Sequence, residues 1–227
     1  LQIKHGETLG IIGPSGGGKS VLLKTMAGLY APKSGHVYCE GEDWQNLKSE
    51  EKRKLALHIG MLFQKNALFD SLSAAENIAF PIQEHMQWSK EKVDLRVREC
   101  LTAVGLLDAY AKLPHELSGG MRQRLAIARS IALNPEINFY DDPTAGLDPV
   151  NTDKMIELLM KLKQQFKSTV LLVTHNLACA YQMSDRIILV ANQEVIETGT
   201  PEQTKNHPDP RVQQFIQGKL TGPLHWG

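Results

Sequence analysis

The chain has no excess of charge of either sign. Its 25 lysines and arginines balance 25 aspartates and glutamates over 227 residues. A chain without a basic surplus is a poor candidate for binding nucleic acid. No apolar run approaches the roughly 20 residues needed to cross a bilayer, and no segment has the form of a signal peptide. Cysteine is scarce: Cys39, Cys100 and Cys179 are isolated and odd in number. They read as reduced thiols of a cytosolic protein, and none forms a zinc-type pair. The 8 histidines are equally scattered, so no structural metal is expected. No internal repeat or low-complexity tract is evident. There is no initiator methionine before Leu1, so a preceding segment is expected. The length suits one large α/β domain or a domain with a lobe, with ample material for a core.

What is there begins with Gly13-Pro14-Ser15-Gly16-Gly17-Gly18-Lys19-Ser20, an ungapped match to the phosphate-binding loop pattern GxxxxGK[ST]. The apolar run Leu9–Ile12 before it reads as a buried strand, and Val21–Ala27 after it as a helix. The alternative is a chance glycine-rich turn, and the strand–loop–helix context makes it the weaker reading. In this context the glycines let backbone N–H groups turn toward a polyphosphate, and the helix start adds its positive dipole end. Lys19 would reach the β- and γ-phosphates, and the Ser20 hydroxyl would ligate Mg²⁺.

Strand signals recur at Leu9–Ile12, His36–Cys39, Ile59–Phe63, Ile137–Tyr140, Val170–Thr174 and Ile187–Val190. Helical patterns alternate with several of them, which argues for a parallel or mixed sheet covered by helices. From about Val150 to Phe166 the apolar residues fall on one helical face, as core positions do. From about Leu72 to Leu133 helical patterns run without a buried strand, with a helix start at Ser89-Lys90-Glu91-Lys92. This reads as a helical lobe inserted between strands. The stretch after Pro208 is marked by proline and glycine, and pattern alone does not fold it.

Two further motifs carry chemistry. The run Ile137-Asn138-Phe139-Tyr140-Asp141-Asp142-Pro143 is a mostly apolar strand ending in two carboxylates. In phosphate-loop NTPases such an aspartate holds Mg²⁺, which suits Asp141, and Asp142 is then placed to orient or deprotonate a water. An acidic turn before proline is common by itself; the phosphate loop upstream makes the chemical reading the stronger one. The run Leu117-Ser118-Gly119-Gly120-Met121 opens a helix that lasts to Asn134-Pro135. Ser118 is a good N-cap. Its hydroxyl and the glycine N–H groups also suit a γ-phosphate. That second anion site lies in the helical lobe, and two chains arranged head to tail could bring it to the first.

This ordered set resembles the ATPase subunits of ATP-binding cassette transporters, and the resemblance covers essentially the whole chain. It implies an α/β fold: a P-loop NTPase (RecA-like) core with a mixed sheet, an antiparallel β-subdomain and an inserted α-helical subdomain. The implied domain covers 1–227, with core about 1–71 and 134–207, helical subdomain about 72–133 and tail about 208–227. Gln64, closing His58–Gln64, resembles the glutamine loop that touches Mg²⁺ and faces the membrane partner. Asp148 in Ala145-Gly146-Leu147-Asp148 resembles the loop that crosses the dimer interface, and His175 the switch histidine that contacts the γ-phosphate. Asp142, His175 and Gln64 are thus the expected catalytic set. Residues 13–20, 117–121 and 148 would bind nucleotide, and Ser20, Gln64 and Asp141 would hold Mg²⁺. The implied cofactors are ATP and Mg²⁺.

A narrower resemblance is to Mla-type ATPases, which drive phospholipid transport between the two membranes of bacteria with Mce-domain partners. It rests on Leu62–Leu72, Glu76–Ile82, Met121 where many cassettes have glutamine, and the segments 206–218 and 221–224. It implies a head-to-tail dimer of two copies at the cytoplasmic face of the bacterial inner membrane. Integral membrane permease subunits, an Mce-domain lipid carrier and a small regulatory subunit would be the partners, with no nucleic acid. In that family the tail reaches across to the partner ATPase. An ATPase for another solute, or a weakly hydrolysing nucleotide-dependent switch, are the alternatives. Two departures bear on this. Asp142 stands where the family usually has glutamate, withdrawing the carboxylate by roughly 1.5 Å, one C–C bond. And the aromatic residue that stacks on adenine lies upstream of where this chain begins.

Overall fold

The computed structural model describes residues 1–224. The chain divides into two compact units. One comprises Leu1–Lys54, Phe139–Asp142 and Thr169–Gly227; the other comprises Leu55–Asn138 and Pro143–Ser168. The strands are β1 (Thr8–Ile12), β2 (Tyr38–Cys39), β3 (Glu42–Asp43), β4 (Ile59–Leu62), β5 (Ile137–Asp141), β6 (Thr169–Val173), β7 (Arg186–Ala191) and β8 (Glu194–Gly199). The helices are α1 (Lys19–Met26), α2 (Ser49–Ala56), α3 (Ala74–His85), α4 (Lys90–Ala103), α5 (Gly119–Ser130), α6 (Pro149–Phe166), α7 (Leu177–Met183), α8 (Pro201–Lys205) and α9 (Pro210–Ile216). Six strands form a sheet in the order β4-β5-β6-β1-β7-β8, and β2 pairs with β3 apart from it.

In the first unit β1 is the hinge of the architecture. It pairs in parallel with β6 (Leu9 opposite Leu171) and with β7 (Gly10 opposite Ile187). All five β1 residues are buried, as expected of a parallel strand covered on both faces. β7 turns back antiparallel into β8 with a register shift at Ile187/Ile188, so the sheet is mixed. The turn is Asn192-Gln193, both at positive φ, the conformation that the right-handed strand twist favours in a two-residue hairpin. The β2–β3 hairpin turns likewise on Glu40 and Gly41, both at positive φ. It is the small antiparallel element, shorter than the strand expected over His36–Cys39.

The second unit is mainly helical. α3 starts with a reciprocal cap: Ser73 Oγ accepts from Glu76 N–H at 3.2 Å, and Ser73 N–H donates to the Glu76 carboxylate at 2.7 Å. Ser89 caps α4 through the Lys92 N–H at 3.3 Å. α3, α4 and α5 pack on one another, and α5 also packs on β4. Ile78, Ile82, Val97, Leu101, Leu125 and Ile127 close this core. α6 begins at Asp148, which accepts from Asn151 N–H at 3.0 Å, and buries Met155, Ile156, Leu159 and Leu162.

The tail is more ordered than its composition suggests. Asp209 caps α9, and Val212 and Leu224 join a core cluster with Ile12, Ala180, Ile187, Leu189 and Ala191. The expected tail runs to Gly227; residues 225–227 lie outside the described residues.

Candidate functional site

In the first unit, residues 13–20 connect β1 to α1. Gly13 sits at φ 147°, and a Cβ there would meet the Val190 carbonyl oxygen at 2.1 Å. Only glycine lets the loop leave β1 this close to β7. Gly18, at φ 95°, is the N-cap of α1 and supplies no side-chain hydrogen bond. The first N–H groups of the helix therefore start without a side-chain acceptor, the condition that makes a helix start receptive to an anion.

Lys19 is buried, 5% exposed. Its ammonium donates to the Gly13 and Pro14 carbonyls at 2.9 and 2.8 Å, folding the side chain back over the loop. Burial lowers its pKa below the ordinary lysine range, and the carboxylates of Asp142 and Asp141 offset part of that. Those two carboxylates and the carbonyl pair compensate a buried cation, as burial demands.

Ser20 donates its hydroxyl to Asp141 Oδ1 at 2.8 Å. An alcohol and a carboxylate from segments 121 residues apart converge on one point. Both are hard oxygen ligands, of the kind Mg²⁺ takes while keeping waters and substrate phosphates. The donor set fits a magnesium site.

Asp142 follows in the left-handed region, at φ 54°. Its N–H donates to the Val173 carbonyl at 2.8 Å. Its side chain is nearly buried. Burial raises its pKa above the ordinary aspartate range; the charge and backbone N–H of His175 and the Thr174 hydroxyl act against that rise. His175 itself is exposed. The first unit thus brings together Gly13–Ser20, Asp141, Asp142 and His175.

The second unit gathers the other expected residues around a groove of about 880 Å³. Gln64, Ser118, Gly119, Gly120, Met121 and Asp148 all line it. Leu117 is buried, and its carbonyl accepts from Arg122 at 2.6 Å. Ser118 caps α5 through the Met121 N–H at 3.3 Å. The buried Gln123 ties α5 to the segment before α6 by donating to the Pro143 carbonyl. Asp148 accepts from the Asn151 N–H and side chain, which holds its carboxyl below the usual aspartate range.

Sequence reasoning missed two residues here. Arg129, near the end of α5, donates to the Ala67 and Asn66 carbonyls at 2.7 and 3.0 Å. Both of those loop residues have positive φ, and the guanidinium holds their carbonyls. Thr174 lies inside a strand signal and reads there as one more β-branched residue. Its hydroxyl instead faces Asp142. The polar spacing Thr174-His175-Asn176 after an apolar strand was the available signal.

The profile of the family described as ABC transporter matches residues 1–145. Over 226 residues the chain is 38% identical to the intermembrane phospholipid transport system ATP-binding protein MlaF of Haemophilus influenzae, covering all of this chain and 86% of that protein. It is 41% identical over 225 residues to the methionine import ATP-binding protein MetN of Carboxydothermus hydrogenoformans, covering 99% of this chain and 66% of that protein. Among solved structures, the dimeric post-hydrolysis state of the ATP-binding cassette MJ0796 bound to ADP and Pi matches with a TM-score of 0.81. The two are 37% identical, and 88% of each chain is covered.

Proposed function

This chain belongs to the ATP-binding cassette transporter family, and on that premise we propose that it is the ATPase of a phospholipid transporter of the Mla kind. It is an ATPase that uses MgATP, working as a dimer with membrane permease partners. No helix among the described residues is long and apolar enough to cross a membrane. An Mce-domain lipid carrier and a small regulatory subunit complete the proposed assembly, at the cytoplasmic face of a bacterial inner membrane. The likeness to MlaF along the whole chain supports the lipid reading.

The observation that carries the nucleotide chemistry is the convergence of Lys19, Ser20 and Asp141 beneath an uncapped helix start. In the proposed site Gly13–Ser20 wraps the phosphates with its backbone N–H groups. Lys19 releases its carbonyl partners to neutralise the β- and γ-phosphates. Ser20 and Asp141 would hold Mg²⁺, which when bound would supply positive charge against the phosphates. Asp142 takes the proton of the attacking water as its oxygen bonds to the γ-phosphorus and the bond to the ADP oxygen breaks. His175 donates to the γ-phosphate. Residues 117–121 and Asp148 of one copy serve the nucleotide held by the other.

Lys19→Ala is expected to abolish useful MgATP binding, since the phosphates lose their fixed cation. An equilibrium binding assay checks this, and parental affinity would remove Lys19 from the site. A second reading, an ATPase for a small polar solute, rests on the 41% identity to MetN. Reconstitution with the permease separates the two: ATP turnover that depends on phospholipid favours the first, and turnover that depends on methionine the second.

A further inference from the structure

The Asp142 carboxylate is held by a turn as well as by its own strand. Asp142 N–H donates to the Val173 carbonyl at 2.8 Å, and Thr174 N–H to the Ile11 carbonyl at 3.2 Å. Both residues are therefore anchored at the ends of neighbouring strands. Thr174 is wholly buried. Its hydroxyl accepts from Asn176 N–H at 3.0 Å and donates to Asp142 Oδ1 at 3.4 Å.

The direction of that second bond follows from the carboxylate, which when ionised has no proton to give. A hydroxyl has one proton and two lone pairs. The Asn176 N–H can only donate, so it occupies one lone pair, and the proton goes to the Asp142 carboxylate, which when ionised can only accept. Asn176 is itself fixed, because its side chain caps α7 through the Cys179 N–H at 3.0 Å. The backbone N–H of His175 also acts to lower the pKa of the same carboxylate. A carboxylate has about four lone-pair sites, so the Thr174 donor restricts its rotation and still leaves sites open. Such restriction matters for an aspartate, whose terminal torsion is broad and only two-fold.

We propose that Thr174 is a positioning residue for hydrolysis: its hydroxyl, oriented by the Asn176 N–H, holds the Asp142 carboxylate in the orientation that leaves an oxygen free for the attacking water. This rests on the reading of Asp142 as the carboxylate that takes the water's proton. Thr174 touches neither nucleotide nor water in this role, so its effect passes entirely through Asp142.

Single-turnover MgATP hydrolysis and MgATP affinity, measured on the assembled transporter, test this with Thr174→Val, Thr174→Ser, Asp142→Asn and the Thr174→Val/Asp142→Asn pair. Valine keeps the shape and removes the hydroxyl. Thr174→Val is expected to bind MgATP like the parent and hydrolyse it about 10-fold more slowly, within the ~10²-fold scale of a 1 Å misplacement. Thr174→Ser should restore the rate, and Thr174→Val should add no further loss once Asp142 is asparagine. If valine lowers the melting temperature, Thr174→Ala carries the same comparisons. Parental hydrolysis by Thr174→Val, a serine variant as slow as valine, or an equal loss in the Asp142→Asn background would each overturn the role of Thr174 alone. Parental hydrolysis by Asp142→Asn would instead remove the carboxylate reading, and the Thr174 role with it.

Discussion

At the scale of single residues, the backbone at position 142 decides what the short carboxylate can do. A φ of 54° is costly for most L-residues and is visited most readily by Asn, Asp and Gly. Aspartate is therefore the acidic residue that this conformation tolerates best. Asp142→Asn preserves both the conformation and the size, so MgATP binding through Gly13–Ser20 and Asp141 should persist. Hydrolysis should fall by roughly 10²–10⁴-fold, the scale of losing a positioned base, and single-turnover assays of the complex check it. Asp142→Glu lengthens the side chain toward the usual family residue. It also places a longer chain at positive φ in a nearly buried pocket already bracketed by Thr174 and His175. Turnover is expected to stay level or fall. A rise in turnover would mean that side-chain length, and not orientation, limits this ATPase.

At the scale of elements, α5 has two distinct ends. Its start carries the Ser118 cap in the groove, and its last turn carries Arg129 on the loop after Gln64. Ser118→Arg removes a cap worth about 1 kcal/mol and puts a long cation where the γ-phosphate of the second copy is proposed to lie. The monomer should still fold, and ATP-driven dimerisation should fail. Size analysis in an Asp142→Asn background with ATP reads this directly, and a normal dimer would exclude residues 117–121 from the shared site. The same elements show what was legible in the sequence. Glycine spacing marked the loop at 13–20, a polar residue before a helical run marked the caps at 89 and 118, and apolar runs marked β1, β4, β5, β6 and β7. β8 was not legible. Its residues Glu194–Gly199 are largely exposed, and its turn is Asn192-Gln193 where a glycine would have signalled a hairpin. Nor was α3 as a single helix, since Pro81 sits inside it. Arg129 and Thr174 were hidden for another reason. Their roles are hydrogen bonds to groups 62 and 32 residues away, and no local pattern records such a partner.

At the scale of the whole molecule, the tail returns to the first strand. Leu224 is buried in the cluster that contains Ile12, the residue before the phosphate loop. Gln214, buried on α9, accepts from the Leu224 N–H at 2.7 Å and donates to its carbonyl at 3.2 Å. One amide side chain thus satisfies both backbone groups of a residue near the chain end, so the leucine is buried without orphaned polar atoms. Proline and glycine in this segment suggested irregular chain, and the side-chain clasp was invisible to pattern. The tail's proposed reach to a second copy now has a companion role inside one copy. Leu224→Ala separates them. It empties a buried site and should cost about 2–3 kcal/mol, which for a chain of this length lowers the melting temperature by roughly 4–12 °C. The drop should be the same at low and high protein concentration, because the lost contacts lie within one chain. A melting temperature equal to the parent's would mean that this segment does not stabilise the copy it belongs to. A drop that vanished on dilution would mean that Leu224 acts across the dimer, and the cluster around Ile12 would then be completed in solution by the neighbouring copy.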